Sequence, residues 1–261
     1  MDIAKPTIVL IPGSFCSAAL LWDAVIDELH SAGYETLAVE LQTVGPPSTN
    51  PAKTMADDAA HIHGIIEALA DDGKEVLVAM SSFGGIPGTQ AVKNVTRKER
   101  QEAGKAGGVT GLVYASALLV NEGESSEDSF APFTVPHASR NFFKVSGEYL
   151  QLEPVGSAAF IFSNLPKSVG ESMTRKMSGH ASGSFREKMT STSHYDVPVT
   201  YIKCTGDQTI YPAHQQKMID DLKSLSRSTV SVIEIDSGHC PMVEHVKETS
   251  KAIIQAAGYS S

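Results

Sequence analysis

The sequence predicts an α/β protein built on a doubly wound, mostly parallel sheet. Short apolar runs, typical of strands buried on both faces, alternate along the chain with segments whose apolar residues recur at helical spacing. Such alternation favours a parallel sheet with right-handed crossovers and helices on both faces. It is interrupted once, between Asn121 and Val197, and the interruption predicts an inserted segment.

The elements follow in order. Residues 7–11 form a continuous apolar run, and a helix carrying Trp22 and Leu29 ends at Gly33. A second strand covers 34–41, and Thr54 with Asp57 resembles a capping box that opens the next helix. Further strands are predicted at 75–82, 109–120, 198–204 and 228–235, with helices after Ser82, at 213–222 and at the end of the chain.

The segment after Val120 differs in character from the rest. It is rich in aromatic residues, prolines and Ser/Gly pairs, and at about 75 residues it is too long for a passive loop and too apolar for disorder. We therefore predict a core formed by 1–120 and 197–261 and a mainly helical cap, or lid, formed by 121–196. About half of the cap's aromatic side chains are expected only to pack the cap against the core, without a role in substrate binding.

Composition excludes several classes of protein. The 261 residues include 21 basic and 30 acidic side chains, and the resulting net charge of −9 disfavours nucleic acid or an anionic membrane as a partner. The sequence has no apolar stretch near the roughly 20 residues of a membrane span. We expect no signal peptide, because residues 1–6 run directly into a predicted strand. Three widely spaced cysteines argue against a disulfide framework or a zinc site. A cytoplasmic protein without metal or cofactor is expected.

Ser82 is the predicted nucleophile. An apolar strand ends at this serine, and glycines follow at 84, 85 and 88, where a helix should begin. A serine on a sharp strand-to-helix turn needs such small neighbours. Two alternatives remain open from this segment alone: Ser82 as an ordinary helix N-cap, or Ser81 as the reactive hydroxyl. Met80 also departs from the G-x-S-x-G pattern at its first glycine.

Asp207 and His239 complete the predicted site. Each follows the end of a different predicted strand, as Ser82 does, so all three should meet at the carboxyl edge of a parallel sheet. A histidine near neutral pH can take the proton of a serine hydroxyl, and a carboxylate behind the imidazole stabilises the imidazolium. The order Ser…Asp…His is one of the known orders of this constellation. Asp236 is a less suitable acid because it lies three residues from His239.

An oxyanion hole is predicted beside the nucleophile. Gly13 allows the loop after the first strand to approach closely, so the N–H of Ser14 can pair with the N–H of Phe83.

With these features the chain resembles the α/β-hydrolase superfamily. Within it, the chain is most similar to the compact branch of plant methyl esterases and hydroxynitrile lyases with their fungal and bacterial relatives. The matching segments are Ile11-Pro12-Gly13-Ser14 with Trp22, Ser81-Ser82-Phe83-Gly84-Gly85, Val197 to Ile202 with Asp207 and Gln208, and Gly238-His239. The resemblance implies a nucleophile at Ser82, an acid at Asp207, a base at His239, and oxyanion amides at Ser14 and Phe83. Gly13, Phe15, Cys16 and Ser81 are expected to line the substrate site.

Two departures bear on the reaction. Pro12 and Ser81 replace histidines common in the branch, although neither position carries the chemistry directly. Cyanogenic lyases of the branch have a lysine beside the catalytic histidine and a hydroxyl residue at the position of Gly13. Here Cys240 and Gly13 occupy those places, which disfavours cyanohydrin cleavage.

These observations favour a cofactor-independent serine hydrolase that cleaves a carboxylic ester or lactone of a small, largely apolar molecule. The same site used for a lyase reaction, a C–C cleavage or a cyclisation is the first alternative, and a small-molecule receptor is the second. A small-molecule substrate is the expected partner, and a homodimer is compatible with the sequence.

Overall fold

The computed structural model of the chain describes residues 5–48, 51–133 and 142–258. Its strands are β1 (Thr7–Ile11), β2 (Thr36–Ala38), β3 (Val44–Gly45), β4 (Glu75–Ser82), β5 (Gly108–Ala117), β6 (Phe143–Ser146), β7 (Tyr149–Leu152), β8 (Gly179–Ala181), β9 (Val199–Cys204) and β10 (Val230–Ile235). Its α-helices are α1 (Ala18–Ser31), α2 (Met55–Asp71), α3 (Gly85–Ala91), α4 (Arg97–Glu102), α5 (Ser126–Phe130), α6 (Pro154–Ile161), α7 (Lys167–Thr174), α8 (Pro212–Leu225), α9 (Pro241–Glu244) and α10 (Val246–Gly258).

The central sheet has six strands in the order β2-β1-β4-β5-β9-β10, and every neighbouring pair is parallel. The predicted parallel α/β fold is therefore confirmed. β1 lies between β2 and β4, so the direction of winding reverses beside it. Ligands of open α/β sheets bind outside the carboxyl ends of the strands at such a reversal. The loop after β1 and the turn after β4 both lie there.

Each face of the sheet is covered by helices. Trp22 and Leu29 of α1 share one buried core with Ile253 of α10. On the other face, Ile62 of α2 and Leu222 of α8 belong to a second core. Full burial of such side chains stabilises the fold by about 1.5–3 kcal/mol each. The two cores hold the sheet rigid and thereby fix the positions of the loops at its edge.

The described residues of the segment 121–196 include helices, as expected, together with three strands that the sequence did not predict. Strands β6, β7 and β8 pair in antiparallel fashion, and β8 also pairs with β3, which lies between the second predicted strand and the helix that follows Thr54. The strands are only three or four residues long, too short to show a clear two-residue alternation. Their pairing joins residues far apart in sequence, as in Val44 with His180.

Two smaller features also differ from the sequence-based prediction. The stretch 96–108, where the sequence analysis places no helix, contains α4, which begins with a capping box between Thr96 and Glu99. The closing helix is divided at His245 into α9 and α10. Within the described ranges, the helices are too short or too polar to cross a membrane.

Candidate active site

Ser82 lies at a sharp turn between β4 and α3. Its φ of +51° is unusual for a residue other than glycine, and the surrounding glycines make the turn feasible. A Cβ atom on Gly84 would lie 2.3 Å from the Pro12 carbonyl oxygen, and one on Gly85 would lie 2.2 Å from the Leu118 carbonyl oxygen. The backbone therefore packs too closely here for any larger residue.

The turn also explains two irregularities of the sequence. Met80, which replaces the first glycine of the nucleophile pattern, is buried, and its sulfur would lie 2.5 Å from a Cβ atom on Gly88. Gly88 thus provides the room that the methionine occupies. Pro87 would be at the limit of the first turn in a helix that began at Phe83, but α3 begins at Gly85. The proline therefore lies well within the first turn, where its missing N–H costs no helical hydrogen bond.

Three side chains from three strand ends form one hydrogen-bonded chain. The Oγ of Ser82 lies 3.0 Å from Nε2 of His239, and Nδ1 of His239 lies 2.9 Å from Oδ2 of Asp207. A carboxylate can only accept, so Nδ1 donates to Asp207 and leaves Nε2 free to accept the Ser82 proton. Asp207 is fully buried and His239 is 4% exposed, which keeps this chain away from competing water.

Further donors fix the carboxylate of Asp207. Its Oδ1 accepts from the N–H groups of Thr209 (2.7 Å) and Ile210 (3.0 Å), and its Oδ2 accepts from Nε2 of Gln215 (3.1 Å). The alternative acid, Asp236, instead accepts from the hydroxyl of Thr205. The geometry therefore favours Asp207 as the partner of the imidazole.

Ser116 joins this network, although the sequence analysis did not identify it. Its hydroxyl donates to Oδ2 of Asp207 and lies 3.4 Å from Nδ1 of His239. The residue is fully buried near the end of β5, between β4 and β9, and has a φ of +44°. The sequence gives a single indication of this role: Ser116 is a polar residue near the carboxyl end of a largely apolar strand.

Replacing Ser116 with alanine should lower kcat by about 10-fold, because Asp207 then loses one donor that orients it. The N–H groups of Thr209 and Ile210, Nε2 of Gln215 and Nδ1 of His239 still donate to the carboxylate, so the loss should be far smaller than for a group that reacts with substrate. Steady-state kinetics with a nitrophenyl ester measure the effect. An unchanged kcat would show that the other donors suffice to hold the carboxylate.

Glu244 is a second residue that the sequence did not reveal. Its carboxylate accepts from the N–H of Gly238 (2.7 Å) and from the hydroxyl of Ser237 (2.9 Å), so it holds the loop that carries His239. Burial raises the pKa of this carboxyl group above its usual range. Glu244 lies in α9, well beyond the end of β10, so its contact with the loop of His239 could not be predicted from the local sequence.

The loop after β1 lies directly against the nucleophile. A Cβ atom on Gly13 would lie 2.7 Å from Cβ and 3.4 Å from Oγ of Ser82. Neither the N–H of Ser14 nor that of Phe83 donates a hydrogen bond to another of the described residues. Two unused donors beside a serine hydroxyl are what an oxyanion hole requires.

Gly13→Ala should lower kcat by roughly 10²-fold, because the added methyl group must displace Ser82 from its hydrogen bond to His239. Gly64→Ala is a matched control, since a Cβ atom there meets nothing within 4 Å and the residue lies inside α2. The control should retain kcat and stabilise the protein by about 0.5–1 kcal/mol. Equal kcat values for the two variants would contradict the close approach.

The four residues expected to line the substrate site lie in different surroundings. Gly13 contacts the nucleophile, and Phe15 packs on the ring of Phe143 with centroids 5.7 Å apart. Cys16 lies in the core beneath α1, where burial raises the pKa of its thiol. Ser81 is buried, and strand alternation places its side chain on the face that α1 and α10 cover. Gly13 therefore lies against the nucleophile and Phe15 against an aromatic ring of the segment 121–196, whereas the side chains of Cys16 and Ser81 are buried within the core.

Metal-ligating side chains are not grouped in the described parts of the chain: no cluster of three or more His, Cys, Asp or Glu residues is suited to a metal ion there.

Comparisons with known proteins agree with this architecture. Residues 8–252 match the alpha/beta hydrolase family. A probable hydrolase, R7, from Phoma sp. (strain ATCC 20986 / MF5453) is 31% identical over 256 residues, which are 98% of this chain and all of the relative. A pyrethroid hydrolase from Sphingobium faniae JZ-2 has a similar structure (TM-score 0.74, 18% identity, 98% of both chains), as does the methylesterase MES16 from Arabidopsis (TM-score 0.70, 16% identity, 97% of this chain and 99% of the other). The match over nearly the whole chain, together with the parallel sheet and the turn at Ser82, shows that this protein belongs to the alpha/beta hydrolase family.

Proposed function

We propose that the protein is a cofactor-independent serine hydrolase that cleaves a carboxylic ester or lactone of a small, largely apolar molecule. One observation carries the proposal: the unbroken hydrogen-bonded chain from Ser82 Oγ through the His239 ring to Asp207. The names of the relatives, a probable hydrolase, a pyrethroid hydrolase and a methylesterase, support the same class of reaction.

In this mechanism Ser82 attacks the carbonyl carbon while Nε2 of His239 takes the hydroxyl proton. Asp207 accepts from Nδ1 and stabilises the imidazolium. The oxyanion of the tetrahedral intermediate receives hydrogen bonds from the N–H groups of Ser14 and Phe83. His239 then protonates the leaving alkoxide, and an acyl group remains on Ser82.

Water completes the reaction. His239 takes a proton from the water molecule that attacks the acyl carbonyl, and the resulting intermediate expels Ser82, which recovers its proton from the imidazolium. The products are a carboxylic acid and an alcohol, or one hydroxy acid when the substrate is a lactone. Residues 121–196 act as the cap over this site.

The substrate pocket is proposed to be aromatic. Phe15 and Phe83 belong to the two loops that flank the nucleophile, and the ring of Phe185, from the cap segment, lies 6.2 Å and 5.2 Å from theirs. Aromatic side chains of this kind favour a flat, apolar acyl or alcohol group.

Product analysis in heavy-oxygen water tests the proposal. Nitrophenyl esters of short and medium acyl chains, together with aryl lactones, should be turned over, and the acid product should carry one heavy oxygen from the solvent. Turnover without incorporation would instead indicate a non-hydrolytic use of the site. Absence of turnover across this panel, with no labelling of Ser82 by a fluorophosphonate, would contradict the hydrolase.

A further inference from the structure

A buried histidine lies among the aromatic rings beside the nucleophile. The ring of His180 is 4.9 Å from the ring of Phe83, 5.4 Å from that of Phe15 and 4.6 Å from that of Phe185, measured between centroids. The side chain is fully buried. His180 is absent from the hydrogen-bonded chain of Ser82, His239 and Asp207, so the proposed mechanism leaves it without a role.

The backbone holds His180 against the loop that follows β1. His180 is the central residue of β8, which pairs with both β3 and β7. The N–H of Ser178, just before this strand, donates to the carbonyl oxygen of Phe15 over 2.8 Å. The N–H of Ala181 donates to the carbonyl oxygen of Thr43 over 2.9 Å. The imidazole is therefore placed by strand pairing and by a direct link to the oxyanion loop.

The hydrogen-bond network assigns the tautomer of this histidine. The hydroxyl of Ser184 donates its single proton to the carbonyl oxygen of Ala181 over 2.8 Å, so it can only accept from the imidazole. Nε2 of His180, at 2.9 Å, is then the N–H that donates to it. Nδ1 consequently carries a lone pair and no proton. Burial lowers the pKa of the ring to about 3, so the ring is neutral at physiological pH.

Nδ1 is thus an acceptor without a donor. It is buried and has no hydrogen-bond partner among residues 5–48, 51–133 and 142–258. Buried polar atoms nearly always have a hydrogen-bond partner, so this acceptor, which lies beside the rings of Phe15 and Phe83, calls for a donor that the described residues do not supply. The missing partner must donate a hydrogen bond, and the rings around it favour an aromatic carrier.

We propose that Nδ1 of His180 accepts a hydrogen bond from a hydroxyl group of the substrate, so that the site selects hydroxyaryl esters or lactones. This inference rests on the proposed hydrolase and names its substrate class. A hydroxyl substituent can donate to a bare ring nitrogen, whereas a methoxy or carboxylate substituent can only accept and would leave Nδ1 unpaired. Sites built around a hydrogen bond to a substrate hydroxyl discriminate strongly against analogues that lack it.

The test compares methyl phenylacetates that carry a hydroxyl, a methoxy group or hydrogen at each ring position. The wild-type protein should prefer at least one hydroxy isomer over its methoxy counterpart by about 10-fold or more in kcat/KM. His180→Phe keeps an aromatic ring and removes the acceptor, so the preference should fall below about 3-fold. Ser184→Ala removes the acceptor of the Nε2 proton, so either ring nitrogen of His180 can then carry the proton. The hydroxyl preference of this variant should lie between those of the wild type and His180→Phe.

A matched control comes from another buried histidine. His194 lies against the ring of Tyr195, with no ring contact to Phe15, Phe83 or Phe185 in the described parts of the chain. His194→Phe makes the same chemical change away from these rings and should retain the full hydroxyl preference. Circular dichroism verifies that each variant folds; if His180→Phe does not, Ser184→Ala decides the question.

Two results would overturn the assignment. One is an unchanged preference in His180→Phe, or in Ser184→Ala if only that variant folds. The other is a wild-type protein that hydrolyses the unsubstituted ester and shows no preference for any hydroxy isomer. Both outcomes are compatible with the proposed hydrolase activity. A failure of the hydrolase would look different, because no ester would then be cleaved and a fluorophosphonate would not label Ser82.

Discussion

Ser82→Ala is expected to lower kcat by roughly 10⁴- to 10⁶-fold. The alanine removes the hydroxyl oxygen that lies 3.0 Å from Nε2 of His239. Without the nucleophile no acyl-enzyme forms, and catalysis is limited to what the oxyanion donors and substrate binding supply. Single-turnover and steady-state kinetics with a nitrophenyl ester measure the loss.

The adjacent serine provides the control. Ser81 is 1% exposed, and its side chain lies on the sheet face covered by α1 and α10. Ser81→Ala should therefore lower kcat far less than Ser82→Ala. A loss in Ser81→Ala equal to or greater than that in Ser82→Ala would mean that the wrong hydroxyl has been assigned.

Acidification should strongly destabilise the fold. Burial lowers the pKa of His180 and of His194 to about 3 and that of His214 to about 4, whereas in the unfolded chain each titrates near 6.5. The folded pKa is depressed, so the unfolded state binds the proton first. The contribution of these histidines to the free energy of unfolding is fully present above about pH 6.5. It is lost as the pH falls from there toward their folded pKa values of about 3 to 4. At pH 5 each histidine should cost about 2 kcal/mol of unfolding free energy.

Two carboxyl groups oppose this loss in part. Burial raises the pKa of Asp58 to about 6 and also raises that of Glu244, so both bind protons in the folded state before they do so in the unfolded state. The three histidines together still cost roughly 6 kcal/mol at pH 5, a large fraction of the 5–15 kcal/mol typical of a domain. Net destabilisation on acidification is the expected outcome.

Urea unfolding of the wild type and of His194→Phe, at pH 7.5 and at pH 5, measures this effect. Both ring nitrogens of His194 lack a hydrogen-bond partner among the described residues, so phenylalanine removes the titration without breaking a bond to them. The variant should lose about 2 kcal/mol less than the wild type between the two pH values. His61→Phe, at an exposed position of α2, is the control and should follow the wild type. An equal loss of unfolding free energy in His194→Phe and in the wild type between pH 7.5 and pH 5 would contradict a buried, neutral His194.

The parts of the fold that could be predicted from sequence are those governed by local patterns. Local sequence patterns identified all six strands of the parallel sheet, and the ends of three of them located Ser82, Asp207 and His239. Their proximity follows from parallel topology alone, because the carboxyl ends of parallel strands share one edge.

The remaining features depend on contacts between distant segments. Strands β6, β7 and β8 are defined by pairing rather than by composition. Ser116 reaches Asp207 across 91 positions of the chain, and Glu244 holds the loop of His239 only because α9 turns back toward it. His180 looked like an ordinary polar residue in an irregular segment, since nothing local indicates the rings of Phe15 and Phe83 around it.

The most direct measurement is the attachment site of a fluorophosphonate, read by peptide mass spectrometry in the wild type and in His239→Ala. The proton transfer proposed between Ser82, His239 and Asp207 requires one adduct, on the Ser82 hydroxyl, that forms at least about 10³-fold more slowly once the imidazole is removed. An adduct on any other residue, or equally fast labelling in both proteins, would contradict it.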